Sequence, residues 1–295
     1  MSEVVIRPMR ESDLEAMQEV SDTTHYESDL RTYQRDWPDP QRRSPAAKRS
    51  WLLRQRHFLA ADPGGCWVAE GDGRVVGFAT SYTRELMWIL ASFNVATGHQ
   101  GAGIGTQLLG AAMHHGRGCL RGMLSASEDQ GALRRYRQAG FSLHPQLFVW
   151  GYVDRSVLPV VEHVRAGTPG DRDLLDSLDR RTRGAAHGDD HAVLGQLFRL
   201  VVVDRSTGSG YAYVDDAGAP VLLAATSRKV ATQLTWEALA ASRPDQPVEV
   251  GHITAANEWA LDVALAARLE VHVRGHLALR HMKPPAPYLH HGTFL

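Results

Sequence analysis

Gln100-Gly101-Ala102-Gly103-Ile104-Gly105 is the stretch whose reading decides the fold, because it stands where a strand gives way to a helix. Upstream, Met87, Ile89, Ala91, Phe93 and Val95 fall on alternate positions, the period of a strand with one buried face. Downstream, Ile104, Leu108, Ala111 and His115 recur at helical spacing. The first amides of a helix have no partners within it, and its dipole favours negative charge. Glycines before such a helix let main-chain N–H groups approach a diphosphate with no side chain between them. The stretch reads as a phosphate cradle.

Three kinds of loop compete for it, and spacing separates them. A P-loop ends in Gly-Lys-Ser/Thr, and Ile104-Gly105-Thr106 carries no lysine. A dinucleotide fingerprint needs its third glycine where Thr106 stands and follows the first strand of its unit. Several strand-like segments precede this loop, which disfavours a nicotinamide-dependent oxidoreductase. Those segments are Val4 to Pro8, Cys66 to Glu70 and Arg74 to Tyr82, the last two joined through Asp72-Gly73, a tight-hairpin signal. Glu11, Ser12 and Asp13 open a helix, with Asp13 its expected cap. After the loop and its helix, Arg121 to Ser127 predicts a strand, and Ala132, Leu133 and Tyr136 a short helix closed by Gly140-Phe141.

Gln-x-x-Gly-x-Gly resembles the diphosphate-binding motif of the GCN5-related N-acetyltransferase (GNAT) family, and a tyrosine four residues before Gly-Phe is a second match. The resemblance implies acetyl-coenzyme A as cosubstrate, its diphosphate held by Gln100, Gly101, Ala102, Gly103, Ile104, Gly105 and Thr106. Phe93, Asn94 and Val95 would lie beside the thioester, where exposed main-chain donors polarise its carbonyl. Tyr136 matches the family's general acid, and a phenol keeps its proton at neutral pH. The glutamate base of some members is missing, because the strand after the loop helix offers Leu124, Ser125 and Ser127. The remaining candidates are Glu85, ahead of the central strand, and His25, Tyr26 and Glu27, in a stretch that usually shapes the acceptor pocket in this family. The carboxylate of Leu295, on a tail stiffened by Pro284-Pro285 and Pro287, is a further one.

At 295 residues the chain predicts two domains, 1–155 and 156–295. The second half repeats the order of the first. Thr168, Pro169 and Asp171 precede Leu174, Leu175 and Leu178; strand-like runs follow at Phe198 to Val203, Gly210 to Val214 and Pro220 to Ala225. Where the cradle would recur stands Ser227-Arg228-Lys229-Val230-Ala231-Thr232, without glycine. Val248 to Thr254 then predicts a strand and Asn257 to Leu269 an amphipathic helix. The expected fold class is therefore α/β (α+β with a mixed sheet): two tandem GNAT-like domains, each a mostly antiparallel central sheet flanked by helices, the C-terminal copy degenerate.

A net charge of −1 leaves no basic surplus for a nucleic-acid backbone. No apolar run approaches the ~20 residues of a membrane span, and two cysteines without a secretory start predict a cytoplasmic setting. His187 and His191 flank Asp189 and Asp190, but Gly188 weakens a helix there, so the segment is expected as a surface loop and no metal is assigned. The expected activity is transfer of an acetyl group to a primary amine, on a small molecule or a peptide N-terminus. The second half would support the acceptor pocket, form a homodimer or lend its tail to the site. The alternative is an acyl-coenzyme A sensor without turnover.

Overall fold

The computed structural model describes residues 4–35 and 37–295. The first half runs β1 (Val4–Pro8), α1 (Leu14–Thr32), α2 (Pro45–Ala61), β2 (Cys66–Gly71), β3 (Arg74–Arg84), β4 (Met87–Val95), α3 (Ile104–His115), β5 (Arg121–Ala126), α4 (Gln130–Gln138) and β6 (Ser142–Gly151). The second runs β7 (Arg165–Ala166), α5 (Arg172–Thr182), α6 (Asp190–Leu197), β8 (Arg199–Arg205), β9 (Gly208–Val214), β10 (Pro220–Ala225), α7 (Arg228–Ala240), β11 (Val248–Thr254), α8 (Trp259–Ala266), β12 (Glu270–Arg280) and β13 (Tyr288–Leu289). This is the mixed, mostly antiparallel α/β architecture that the periodicities predict.

Local chemistry explains most of these boundaries. Asp72 and Gly73 both take positive φ and close the β2–β3 hairpin. Ser44 caps α2, accepting from the amide of Ala47 at 3.2 Å, and Pro45 occupies the first turn. Asp13 acts differently from expectation. It accepts from the amide of Arg10 at 2.7 Å and pairs with Arg7 at 2.8 Å, so it closes a capping box from the third position rather than capping α1 itself.

The strand orders are β1-β2-β3-β4-β5-β12-β6-β11 in one sheet and β13-β10-β9-β8-β7 in the other. β12, from the second half, lies between β5 and β6, and β6, from the first half, lies between β12 and β11. The two halves thus exchange strands, and a cut at residue 155 runs through one continuous sheet. β12 was not among the expected strands, although Glu270, His272, Arg274 and His276 alternate with Val271 and Val273 as in a strand; both valines are in fact exposed.

β4 does not show the simple alternation expected of it. Met87 through Ala91 are all buried, because β4 is an interior strand with helices on both faces. Opposite β3, Thr80 pairs with Ser92 and Ser81 with Leu90, leaving Ala91 as an extra residue, a β-bulge. The parallel pairing of β4 with β5 ends at Leu90. Beyond the bulge β4 has no strand on that side, and the sheet splays open.

Candidate functional site

The splay leads into a cavity of about 520 Å³ that reaches both faces of the sheet. On the α3–α4 side it meets Gln100, Gly101, Gly105, Arg135 and Tyr136; on the α1–α2 side it meets Ser21, Thr24, His25, Arg43 and Arg54. Leu90 to Val95 of β4 and Ser125 to Ser127 beside β5 form its sides, and Gly292 and Thr293 of the tail close part of it.

The loop between β4 and α3 has the geometry of an anion cradle. Gly98, Gly101 and Gly103 all take φ between 82° and 86°, which glycine alone adopts without strain. A side chain on Gly101 or Gly103 would point into empty space, so the loop's inner surface is bare main chain. No side chain caps α3; Thr106 donates to the carbonyl of Gly103 at 3.0 Å, and the amides of Ile104 and Gly105 make no hydrogen bond among the described residues. Gln100 braces the loop by donating from Nε2 to the carbonyl of Val95 at 3.0 Å. Arg135 reaches across from α4 to within contact distance of Gly105, bringing positive charge to the helix start. Of the predicted cradle residues, Ala102, Gly103, Ile104 and Thr106 lie in the loop or first turn without lining the cavity.

Phe93, Asn94 and Val95 line the splayed part of β4. Asn94 accepts from Thr24 Oγ1 at 2.8 Å through Oδ1, while its Nδ2 is buried without a partner. Tyr136 is 4% exposed and packs against Phe93 with ring centroids 6.3 Å apart. Its hydroxyl makes no hydrogen bond among the described residues, and burial pushes its pKa up, so it is a proton donor rather than a phenolate.

His25 sits on the cavity wall across the splay. Its Nδ1 lies 2.7 Å from the carbonyl of Ser21, which can only accept, so Nδ1 carries the proton and Nε2 is free to take one. The residue is exposed and lines the cavity. Desolvation by the surrounding protein and the nearby Arg43 hold its pKa below the ordinary histidine value, leaving it neutral at pH 7. Asp29, one turn further along α1, is pushed upward by burial.

Other predicted site residues lie elsewhere. Glu85 occupies the β3–β4 turn, paired with Arg180 at 2.7 Å, and nine positions of strand separate it from Asn94, roughly 30 Å of rise. Tyr26 lies beneath the Arg42 guanidinium, 5.1 Å from its ring centroid. Glu27 accepts from Thr97 Oγ1 and ties α1 to the start of the cradle loop. Neither lines the cavity. Leu295 is fully buried, its main-chain oxygen held by the equally buried Arg183, and the tail residues that face the cavity are Gly292 and Thr293. Neither Glu85 nor Leu295 lines this cavity.

The histidine pair of the second half corrects another expectation. His187 and His191 are not on a surface loop: they are 0% and 6% exposed and converge on Asp179 at 2.7 and 3.1 Å, where Tyr211 also donates at 2.5 Å. The buried carboxylate stays ionised because these donors surround it. Sequence spacing showed the pair but not Asp179, which α5 supplies from eight residues upstream of His187.

The second half has no counterpart of the cradle. β10 passes to α7 through Thr226 and Ser227 alone, and Ser227 caps the helix by accepting from Val230 at 3.3 Å. The opening beside β10, where the first half splays, is occupied by β13: Leu289 pairs with Leu223 and Tyr288 with Ala224. Asn257 clamps this segment, donating to the carbonyl of Pro285 and accepting from the amide of Tyr288, both at 2.9 Å.

Residues 24–141 match the model of the acetyltransferase (GNAT) family. Among solved structures, a Pyrococcus horikoshii protein provisionally assigned as an acetyltransferase superposes with a TM-score of 0.71 at 18% identity, covering 95% of this chain and 90% of its own. GCN5-related N-acetyltransferases from Sphaerobacter thermophilus (TM-score 0.57, 17% identity, 95% and 96% covered) and Kribbella flavida (0.58, 16%, 94% and 72%) are also similar. At these identities the likeness establishes the fold, and it extends over both halves. No curated protein matches the sequence. Among the described residues no helix is long and apolar enough to cross a membrane.

Proposed function

We propose that this chain, whose residues 24–141 carry an acetyltransferase domain of the GNAT family, moves an acetyl group from acetyl-coenzyme A directly to a primary amine at the β4–β5 splay. One observation carries the reading: a bare glycine cradle, an unpaired strand edge and a buried, unbonded phenol open onto the same cavity.

The cradle of residues 100–105 and Arg135 would take the diphosphate, and the pantetheine arm would run into the splay, using the strand edge that β5 leaves vacant. Main-chain donors of β4 past Leu90 and the unpaired Asn94 Nδ2 suit the carbonyl oxygen as charge develops there. His25 Nε2, neutral and facing the cavity, is the base that takes the proton from the attacking amine. Nitrogen bonds to the carbonyl carbon, the carbon–sulfur bond breaks, and Tyr136 returns a proton to the departing thiolate. His25 thereby fills the position left by the missing glutamate, and its neutrality is what a base at pH 7 requires.

In this reading residues 1–155 supply the coenzyme and acid groups, completed by β12, and residues 156–295 act as scaffold and as tail across the cavity. The unpaired cysteines Cys66 and Cys119 suit a cytoplasmic setting. Calorimetry with coenzyme A, followed by thiol release from acetyl-coenzyme A with a panel of amines, tests the proposal. Heat and amine-dependent release are expected. Heat without release for any amine makes the protein a sensor, and no heat at all removes the coenzyme.

A further inference from the structure

The acceptor end of the cavity holds two arginines whose guanidinium groups make no ion pair among the described residues, although Asp22 and Asp29 lie near enough to Arg43 to favour its charge. Arg54, on α2, makes no hydrogen bond or ion pair among the described residues, and its Nε is buried without a partner. Arg43 donates from Nη2 to Ser21 Oγ at 3.1 Å and lies over the Trp51 ring, but its Nη1 is likewise buried and unpaired. Both line the cavity. The contrast with their neighbours is informative: Arg42 and Lys48 on the same stretch pair with Glu19 and Asp22, whereas Asp22 meets Arg43 through its main-chain amide and not its guanidinium. An unpaired buried cation is destabilising, and two close together more so. Repulsion from Arg43 and burial lower the Arg54 pKa to about 10, still charged at pH 7. Such an arrangement persists where a ligand supplies the missing anion.

We propose that the acceptor amine carries a carboxylate, bound between Arg43 and Arg54, so that the substrate is a small amino acid rather than a plain amine. This rests on the acetyl-transfer reading of the same cavity and deepens it. The groups around the arginines fit the assignment. His25 lies close enough to Arg43 to feel its charge, which places the base beside the anion site, as an amine a few bonds from a carboxylate requires. Asp29, an acid at this end, feels both His25 and Arg43 but forms no ion pair with either arginine among the described residues. Gly292 and Thr293 of the tail cap the cavity, which favours a compact acceptor over an extended polypeptide. Arginine's planar fork matches a carboxylate, where lysine would present a point charge.

The test uses the full-length protein and acetyl-coenzyme A. Amino acids are compared with their amides, their decarboxylated amines and short peptides by thiol release. The free carboxylate should raise kcat/KM by at least about 30-fold over the amide. Arg54→Gln and Arg43→Gln should bring that ratio toward one while leaving the KM for acetyl-coenzyme A within threefold, and Arg54→Lys should restore part of it. Melting temperature separates a binding role from a scaffold role: relieving an unpaired charge should leave Arg54→Gln as stable as the parent or more so. Amides, plain amines or peptides used as well as amino acids overturn the proposal, as does an Arg54→Gln protein that melts lower and loses every substrate equally. These outcomes leave acetyl transfer intact, whereas no release with any amine removes the underlying activity.

Discussion

Replacing Tyr136 with phenylalanine removes one oxygen and, by the geometry here, nothing else that holds the protein together. The hydroxyl makes no hydrogen bond among the described residues, so no partner is left stranded, and the ring keeps its contacts with Phe93 and Phe141 at 6.3 and 6.4 Å. Loss of a hydroxyl that bonds nothing costs about 0.5 kcal/mol or less, too small to move the melting temperature by more than about 2 °C. The rate should respond very differently. A positioned acid supplies a factor of about 10² to 10⁴, or roughly 3 to 5 kcal/mol of barrier. Steady-state thiol release at saturating acetyl-coenzyme A, with calorimetry for coenzyme affinity, reads both quantities. The expected result is kcat down at least a hundredfold with affinity and melting temperature unchanged. A kcat within threefold of the parent refutes the acid role, and a lower melting temperature with proportionate loss of activity shows that the tyrosine only packs.

Three further perturbations follow from the same structure. Gly103→Val places a branched side chain at φ of 82°, so coenzyme A affinity measured by calorimetry should fall at least about tenfold while the remote second half melts as before. Phe294→Ala removes a fully buried ring packed on Phe58 at 5.1 Å, and differential scanning calorimetry should show a loss of about 3 to 5 kcal/mol. Acid should loosen the tail through His290. Its Nε2 accepts from Gln146 at 2.5 Å and burial depresses its pKa to about 4, so the unfolded chain binds the proton more readily. Stability is then full above about pH 6.5 and falls toward pH 4, on the order of 3 kcal/mol from this group, and hydrogen exchange in residues 286–294 should rise over that window. Unchanged exchange down to pH 4.5 would contradict the assignment.

The parts legible in the sequence are those written in local chemistry. Residues 100–105 announced the cradle because glycine spacing is a backbone requirement, and Asp72-Gly73 announced a hairpin for the same reason. The bulge at Ala91 was invisible because it is a mismatch of register between two strands, and a single strand does not reveal its partner's phase. Arg43 and Arg54 did not stand out in the sequence because burial is a property of packing, and only the fold shows which of several arginines lacks a counter-ion. The choice of Glu85 failed on distance along β4, and Tyr26 and Glu27 shared a segment with His25 but not its helix face. β12 escaped for a deeper reason: its pairing partners lie about 150 residues upstream, a separation that no periodicity within a window can report.

That pairing also sets when the cavity can exist during synthesis. The edge of β5 waits for His276 through Arg280, so a nascent chain that has finished residue 126 must hold an open sheet edge until residue 280 emerges. At ordinary ribosomal speed the delay is on the order of ten seconds. Messages truncated between residues 140 and 275 would yield a polypeptide with the cradle and the β4 edge present and its sheet unclosed, a ready target for aggregation or proteolysis. The cavity is thereby withheld until residue 280 has been made.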